Sequence, residues 1–330
     1  MYSHQAGLVA ILLAATLLLG PLAAPDLAPF REAPATFAIS SLLLLSSSAN
    51  MGILPMYIFF LLATPFALRL LHRGLVAPFF AAILLGWLAA QTNLFGLAMY
   101  QVQPMLTGRG IPANFGLYFN LLGRQALFFG GLFVGFRMAQ GRLDLEFLRQ
   151  PQWRTVFFMA AAAVVLLGVY DLVIKLRLLG DDYSTRILIR TDRAILGFFY
   201  PLAFAIDFFV IAWLLKAGPQ DRAVWVRRAA AGVDWLFTRR FLVVLGQHSL
   251  QVFSFHILVY YLLATLLPPL ELPALARAAV LVVSIASLYL AAAGHARLQE
   301  RDGDRRAAGG LSAPISPARP RRFRFCERTA

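Results

Sequence analysis

Residues 155–174, TVFFMAAAAVVLLGVYDLVI, run for twenty positions with one charge, Asp171, near the far end. A helix of that length rises about 30 Å, the thickness of a bilayer's hydrocarbon core. The same pattern recurs along the chain, in apolar runs at about 7–24, 53–71, 75–91, 118–138, 194–215, 241–267 and 274–295. These runs predict an all-α, polytopic integral membrane protein with about eight transmembrane helices. Composition agrees: 60% of the 330 residues are hydrophobic and 14% charged, where soluble domains carry roughly a quarter charged residues. Mean hydropathy is +0.70. No run alternates with period two over a strand's length, so an outer-membrane barrel does not fit.

The second and third runs, joined by His72-Arg73-Gly74, read as a helical hairpin. The seventh is long enough to be tilted or broken, with Gly246 as its weak point. The first has the length of a signal peptide, and Pro21-Leu22-Ala23-Ala24 offers small residues. Met1-Tyr2-Ser3-His4-Gln5 lacks the positive n-region, however, so the run reads as a span. Large outer loops are expected at 25–51 and 92–117, where they could cover a site.

Net charge is +14 and almost all of it is arginine, with Lys175 and Lys216 the two lysines. The basic residues sit in short loops and the C-terminal tail, which orients a membrane protein and argues against nucleic acid as a partner. With both termini cytoplasmic, the inner segments collect Arg69 and Arg73, then Arg137, Arg142, Arg149 and Arg154, then Lys216, Arg222, Arg227, Arg228, Arg239 and Arg240, then the tail. The 175–193 loop votes the other way, and its Asp181, Asp182 and Asp192 are available to pair with its arginines. Two regions follow: a transmembrane domain over 1–296 and a basic tail over 297–330. The tail is rich in Arg, Gly, Pro and Ser, is expected to be disordered, and either rests on anionic headgroups or only fixes topology. Cys326 is the single cysteine, so no intrachain disulfide forms, and the histidines lack partners for a metal cluster.

A polar or ionisable residue inside a span costs about 2.5–3.5 kcal/mol on insertion scales, so each one needs a reason. Those in these runs are Asn120, Arg124, Gln125, Asp171, Asp207, His248 and His256. His248 and His256 are eight apart, about 80° around a helix and two turns along, too far to share a proton or a metal. Each could act as a general base, with Ser249 binding substrate, or could hydrogen-bond a neighbouring helix. Arg124 suits an anionic group or an interfacial position. Asp207 is a possible ion-pair partner for Arg124, and Asp171 sits four residues before Lys175 as a helix pair. No phosphate loop, nucleophile elbow or zinc helix is present.

Three segments carry a resemblance. They are Asn50-Met51-Gly52-Ile53-Leu54-Pro55-Met56-Tyr57-Ile58, Phe119-Asn120-Leu121-Leu122-Gly123-Arg124-Gln125-Ala126-Leu127-Phe128, and Leu245-Gly246-Gln247-His248-Ser249-Leu250-Gln251-Val252-Phe253 followed by His256. In that order they resemble blocks of the OpgC family, membrane acyltransferases of the acyltransferase-3 type that modify osmoregulated periplasmic glucans. The resemblance implies transfer of an acyl group, typically succinyl, from its CoA ester to sugar hydroxyls. It implies an inner-membrane location, no bound cofactor, acyl-CoA as donor substrate, and the bilayer and a glucan as partners. His248 and His256 become catalytic candidates, and Tyr57, Asn120, Arg124, Gln125, Asp207 and Ser249 substrate-binding candidates.

The departures are equally specific. Gly52 stands where the family usually has Asp, Leu121 where it has Pro, and Arg124 where it has Trp. The segment Leu196-Gly197-Phe198-Phe199-Tyr200-Pro201-Leu202-Ala203-Phe204 is similar to a block that carries an Arg and a His, here Tyr200 and Ala203. Family chains open with two further spans bearing Asp-x-x-Arg-Gly and a catalytic histidine, whereas this sequence resembles a family member from just before the third span, so His4 has no such role. Ten spans less two give eight. The expectations are thus an acyltransferase, a non-catalytic homologue serving as a binding or accessory subunit, or a transporter or flippase. The last would usually show repeated halves, and none is visible.

Overall fold

Proline, glycine and charge end the helices of this chain where its apolar runs end. A computed structural model describes residues 1–46, 51–92, 102–110, 121–181, 183–184, 196–267 and 272–308. The principal helices are α1 (Tyr2–Leu19), α2 (Ala28–Glu32), α3 (Pro34–Leu42), α4 (Ile53–His72), α5 (Val76–Gln91), α6 (Leu121–Ala139), α7 (Pro151–Lys175), α8 (Phe199–Lys216), α9 (Val224–Phe237), α10 (Arg240–Gln247), α11 (Ser249–Leu266) and α12 (Ala274–Ala308). No strand occurs among the described residues. Six segments are long and apolar enough to cross a membrane: Tyr2–Leu22, Ile53–His72, Pro151–Lys175, Phe199–Lys216, Ser249–Leu266 and Ala274–Leu298. α5 is equally apolar but only 16 residues long. α6 is long enough, but Arg124, Gln125 and its glycines dilute its hydropathy. The protein is an all-α, polytopic membrane protein, and each of the eight expected runs contains helix.

The chain divides into two compact units, Met1–Val210 and Ile211–Ala330. In the first, α4 and α5 form the hairpin expected at His72-Arg73-Gly74, and α6 packs on both. Ala67, Leu71 and Phe79 are buried there against Phe129, Leu132, Phe133 and Phe136. Phe128, Phe129, Phe133 and Phe136 recur at helical spacing, so one face of α6 carries a ladder of rings. Phe60 meets Phe128 at 5.0 Å between centroids, Phe80 meets Phe133 at 4.9 Å, and His72 meets Phe136 at 5.0 Å. Inside lipid, where burying apolar surface gains little, such ring packing contributes much of the helix association.

The 25–51 stretch differs from the expected outer loop. α2 and α3 fold back along α1, and Phe30 packs edge-on against Phe37. The Tyr2 hydroxyl donates to the Leu42 carbonyl at 3.0 Å, and Gln5 Nε2 reaches the Ser41 carbonyl at 3.5 Å. The return leg therefore ends beside the residues that begin α1. Its Ala-Pro-Ala-Thr-Phe-Ala-Ile segment over 33–39 is apolar enough to pack there but too short to register as a span. The loop expected at 92–117 lies largely outside the described residues, with a short helical stretch at 102–107. Near 175–193, Arg177 pairs with Asp181 at 2.8 Å and Lys175 pairs with Asp171, while Asp182 and Asp192 lie outside the described residues.

In the second unit, α10, α11 and α12 pack together, and α9 packs on the turn Gly218–Gln220. The seventh run is broken as expected, but at His248 (φ −109°, ψ 30°) rather than at Gly246, which stays helical. The His248 ring is held edge-on against His295, and this packing, more than glycine freedom, marks the break. α12 continues to Ala308, twelve residues into the stretch expected to be disordered. Its Ala, Arg, Gln and Glu residues are good helix formers and prolong a helix already nucleated in the span. Residues 309–330, with Cys326, lie outside the described residues.

Candidate functional site

Two groups of polar residues enter the helices, one in each unit. In the first, Gln125 sits on α6, where its amide Nε2 donates to the Ile83 carbonyl of α5 at 2.8 Å. The approach depends on Gly86, since a Cβ there would stand 2.5 Å from that same nitrogen. Gln125 is therefore a bond between helices. Arg124, one residue earlier, is half-buried with its Nε sealed from solvent, and Tyr57 on α4 lies near it. The Tyr57 ring also lies 6.0 Å from Phe128. Asp207 is exposed on α8, and among the described residues no ion pair joins it to Arg124. Asn120 lies outside the described residues. On α5, Trp87 Nε1 and Gln91 Nε2 both reach the Leu196 carbonyl, at 3.0 and 3.4 Å. Leu196 adopts φ 53°, an unfavourable conformation for a leucine, and presents its carbonyl to both donors.

In the second unit the break separates the two histidines into different surroundings. His248 ends α10, its ring centroid 5.3 Å from that of His295 on α12. Gln251, one turn into α11, lies 3.0 Å from His295 Nε2. An amide nitrogen donates, so in this arrangement Nε2 of His295 is the acceptor. Ser249, the first residue of α11, is exposed beside this trio.

His256 lies farther along α11 on the wall of a cleft between α11 and α12. The cleft encloses about 920 Å³ and is mainly apolar, with His256, Tyr260, Arg277 and Ser284 as its polar lining. Arg277 is held by a bond from Nε to the Leu272 carbonyl at 2.8 Å. Ser284 Oγ donates to the Val280 carbonyl of its own helix. The α11 helix thus carries one polar group at its start and another along its length. Among the described residues, no three His, Cys, Asp or Glu side chains are grouped to hold a metal.

Sequence reading missed three of these residues. His295 ends the eighth run, so it read as a boundary residue, although a histidine facing a histidine-bearing run was a usable signal. Arg277 lies just inside the start of the eighth run, and Tyr260 is one aromatic among several in the seventh.

A family model described as OpgC protein matches residues 1–300. The chain belongs to the OpgC family. No curated protein and no solved structure matches it. The OpgC match takes in the α4–α6 bundle, the break at His248 and the His256 cleft, so every candidate residue falls within it. As an OpgC protein it is an acyltransferase-like membrane protein.

Proposed function

We propose that this chain transfers an acyl group, of the succinyl type, from an acyl-CoA to a hydroxyl of a periplasmic glucan or a related sugar. The observation that carries this reading is the OpgC match over residues 1–300. The proposed setting is the bacterial inner membrane, with the arginine-rich C-terminus cytoplasmic, as the distribution of arginine favours. In this reading His256 takes the proton of the sugar hydroxyl, whose oxygen attacks the thioester carbonyl. A C–O bond forms, the C–S bond breaks, and the proton passes to the departing CoA thiolate. Tyr260, beside His256 on α11, and Arg277, across the cleft on α12, would stabilise the negative charge that develops on the carbonyl oxygen.

A positioned general base contributes about 10²–10⁴-fold to such a reaction. Membranes carrying His256→Ala are therefore expected to acylate glucan at least about a hundredfold more slowly than wild type, measured as labelled succinyl incorporated. Unchanged incorporation would remove His256 from the chemistry. His248→Ala in the same assay separates the trio at the break from the cleft. A second reading, a non-catalytic homologue acting as a binding or accessory subunit, is favoured by Gln125, whose amide is already held by the Ile83 carbonyl. It predicts no incorporation by the wild-type chain, with glucan still retained on purified protein.

A further inference from the structure

Between α8 and α10 the chain forms a helix that is not a span. At 100° per residue, Trp225, Leu236, Val226, Phe237 and Ala230 of α9 fall within an arc of about 140°. One end of that arc is already covered. Val226 and Ala230 are buried, and a Cβ on Gly218 would stand 2.8 Å from the Ala230 Cβ, so the helix is clamped to the Gly218–Gln220 turn. Asp221 Oδ1 accepts from the Ala223 backbone N–H, and Arg227 donates to the carbonyls of Asp221 and Arg222, fixing the entry to α9. The opposite end of the arc stays open, with Trp225 58% and Leu236 48% exposed, and Phe237, the last residue of the helix, is 55% exposed.

Around this edge stand Arg222, Arg228, Arg239 and Arg240, all exposed, and none is in an ion pair among the described residues. The Arg239 guanidinium lies 3.8 Å from the centre of the Trp235 ring, and Trp235 is itself 55% exposed. Stacking there leaves the N–H edges of the guanidinium free to donate outward. Wide indole and phenyl faces beside unpaired arginines match a layer in which acyl chains meet phosphates. The chain leaves one membrane span at Lys216 and enters the next broken span at Arg240, which brings α9 to that layer.

We propose that α9 is an interfacial helix that recognises anionic phospholipid headgroups. Trp225, Leu236 and Phe237 insert among the upper acyl chains, while Arg222, Arg228, Arg239 and Arg240 bind the phosphates. Each arginine near an anionic surface adds its own attraction, so the group selects anionic over zwitterionic lipid. This helix is independent of the acyl-transfer reading, which can fail without touching it.

The test uses the full chain in phosphatidylcholine vesicles doped with brominated phosphatidylglycerol or with the same share of brominated phosphatidylcholine. Emission from Trp225 and Trp235 is obtained by difference from a Trp225→Phe/Trp235→Phe chain. Severalfold stronger quenching by the anionic lipid, lost at high salt, is the expected result. Equal quenching by the two lipids, or none, overturns the proposal, and neither outcome requires an arginine variant to fold. Replacing Arg222, Arg228, Arg239 and Arg240 by Gln should abolish the excess, and replacing them by Lys should retain most of it. A chain ending at Ala308 should also keep the excess; if it is lost there, recognition belongs to the tail and the proposal falls.

Discussion

The two units treat polar side chains differently. In the first, they close on backbone carbonyls of other segments: Gln125 on Ile83, Trp87 on Leu196, Tyr2 on Leu42 and Gln5 on Ser41. In the second, Gln251 and His248 turn to another side chain, His295, while His256 and Arg277 line an open cleft. A side chain bound to a main-chain carbonyl is committed, because that acceptor is fixed by the helix. One bound to an imidazole keeps a partner that can change its protonation or let go. Polarity within a span is therefore a weak sign of function until the partner is known. By that measure the second unit is the better place to look for chemistry.

The largest expected effect concerns the carbonyl-directed bonds of the N-terminal hairpin and is all-or-none. In a chain with Cys326 replaced by Ser, single cysteines at Tyr2 and at Leu43, both exposed, should react with an impermeant maleimide from the same side of the membrane. Labelling from opposite sides would mean that 25–51 is a simple loop after a crossing. A smaller effect is expected at the α5–α6 contact. Gly86→Ala pushes a methyl onto the Gln125 amide and should cost about 2 kcal/mol in unfolding from mixed micelles. In a Gln125→Ala background most of that cost should vanish, since the clash and the bond involve one side chain. Full cost in both backgrounds would place the strain elsewhere.

Much of this fold was legible because lipid forces it. Twenty apolar residues in a row have few alternatives to a crossing helix, so the long runs, the α4–α5 hairpin and the interruption of the seventh run could be read directly. The return leg α2–α3 could not. Its apolar segment is short, interrupted by Pro29 and Pro34 and flanked by Arg31 and Glu32, so it has the composition of a loop and becomes helical by packing on α1. The site was legible only in part. His248 and His256 stand out as polar residues in an apolar run, but spacing alone put them on one continuous helix. That the break falls at His248, and that its ring meets His295, 47 residues later, depends on tertiary packing that no local pattern encodes.

The smallest expected effect tests the second half of the contrast. Gln251→Leu removes one side-chain bond between α11 and α12, and interhelical bonds of this kind average about 0.6 kcal/mol in membrane proteins. Stability should therefore barely change, well below the cost at Gly86. The acceptor on His295 is then released, and its ring can turn. If the trio at the break serves the reaction, glucan acylation by Gln251→Leu should slow severalfold while the chain stays folded. A variant that loses stability by several kcal/mol with an unchanged acylation rate per folded chain would show that Gln251 is glue like Gln125. The distinction between the two units would then lie in the cleft around His256 alone.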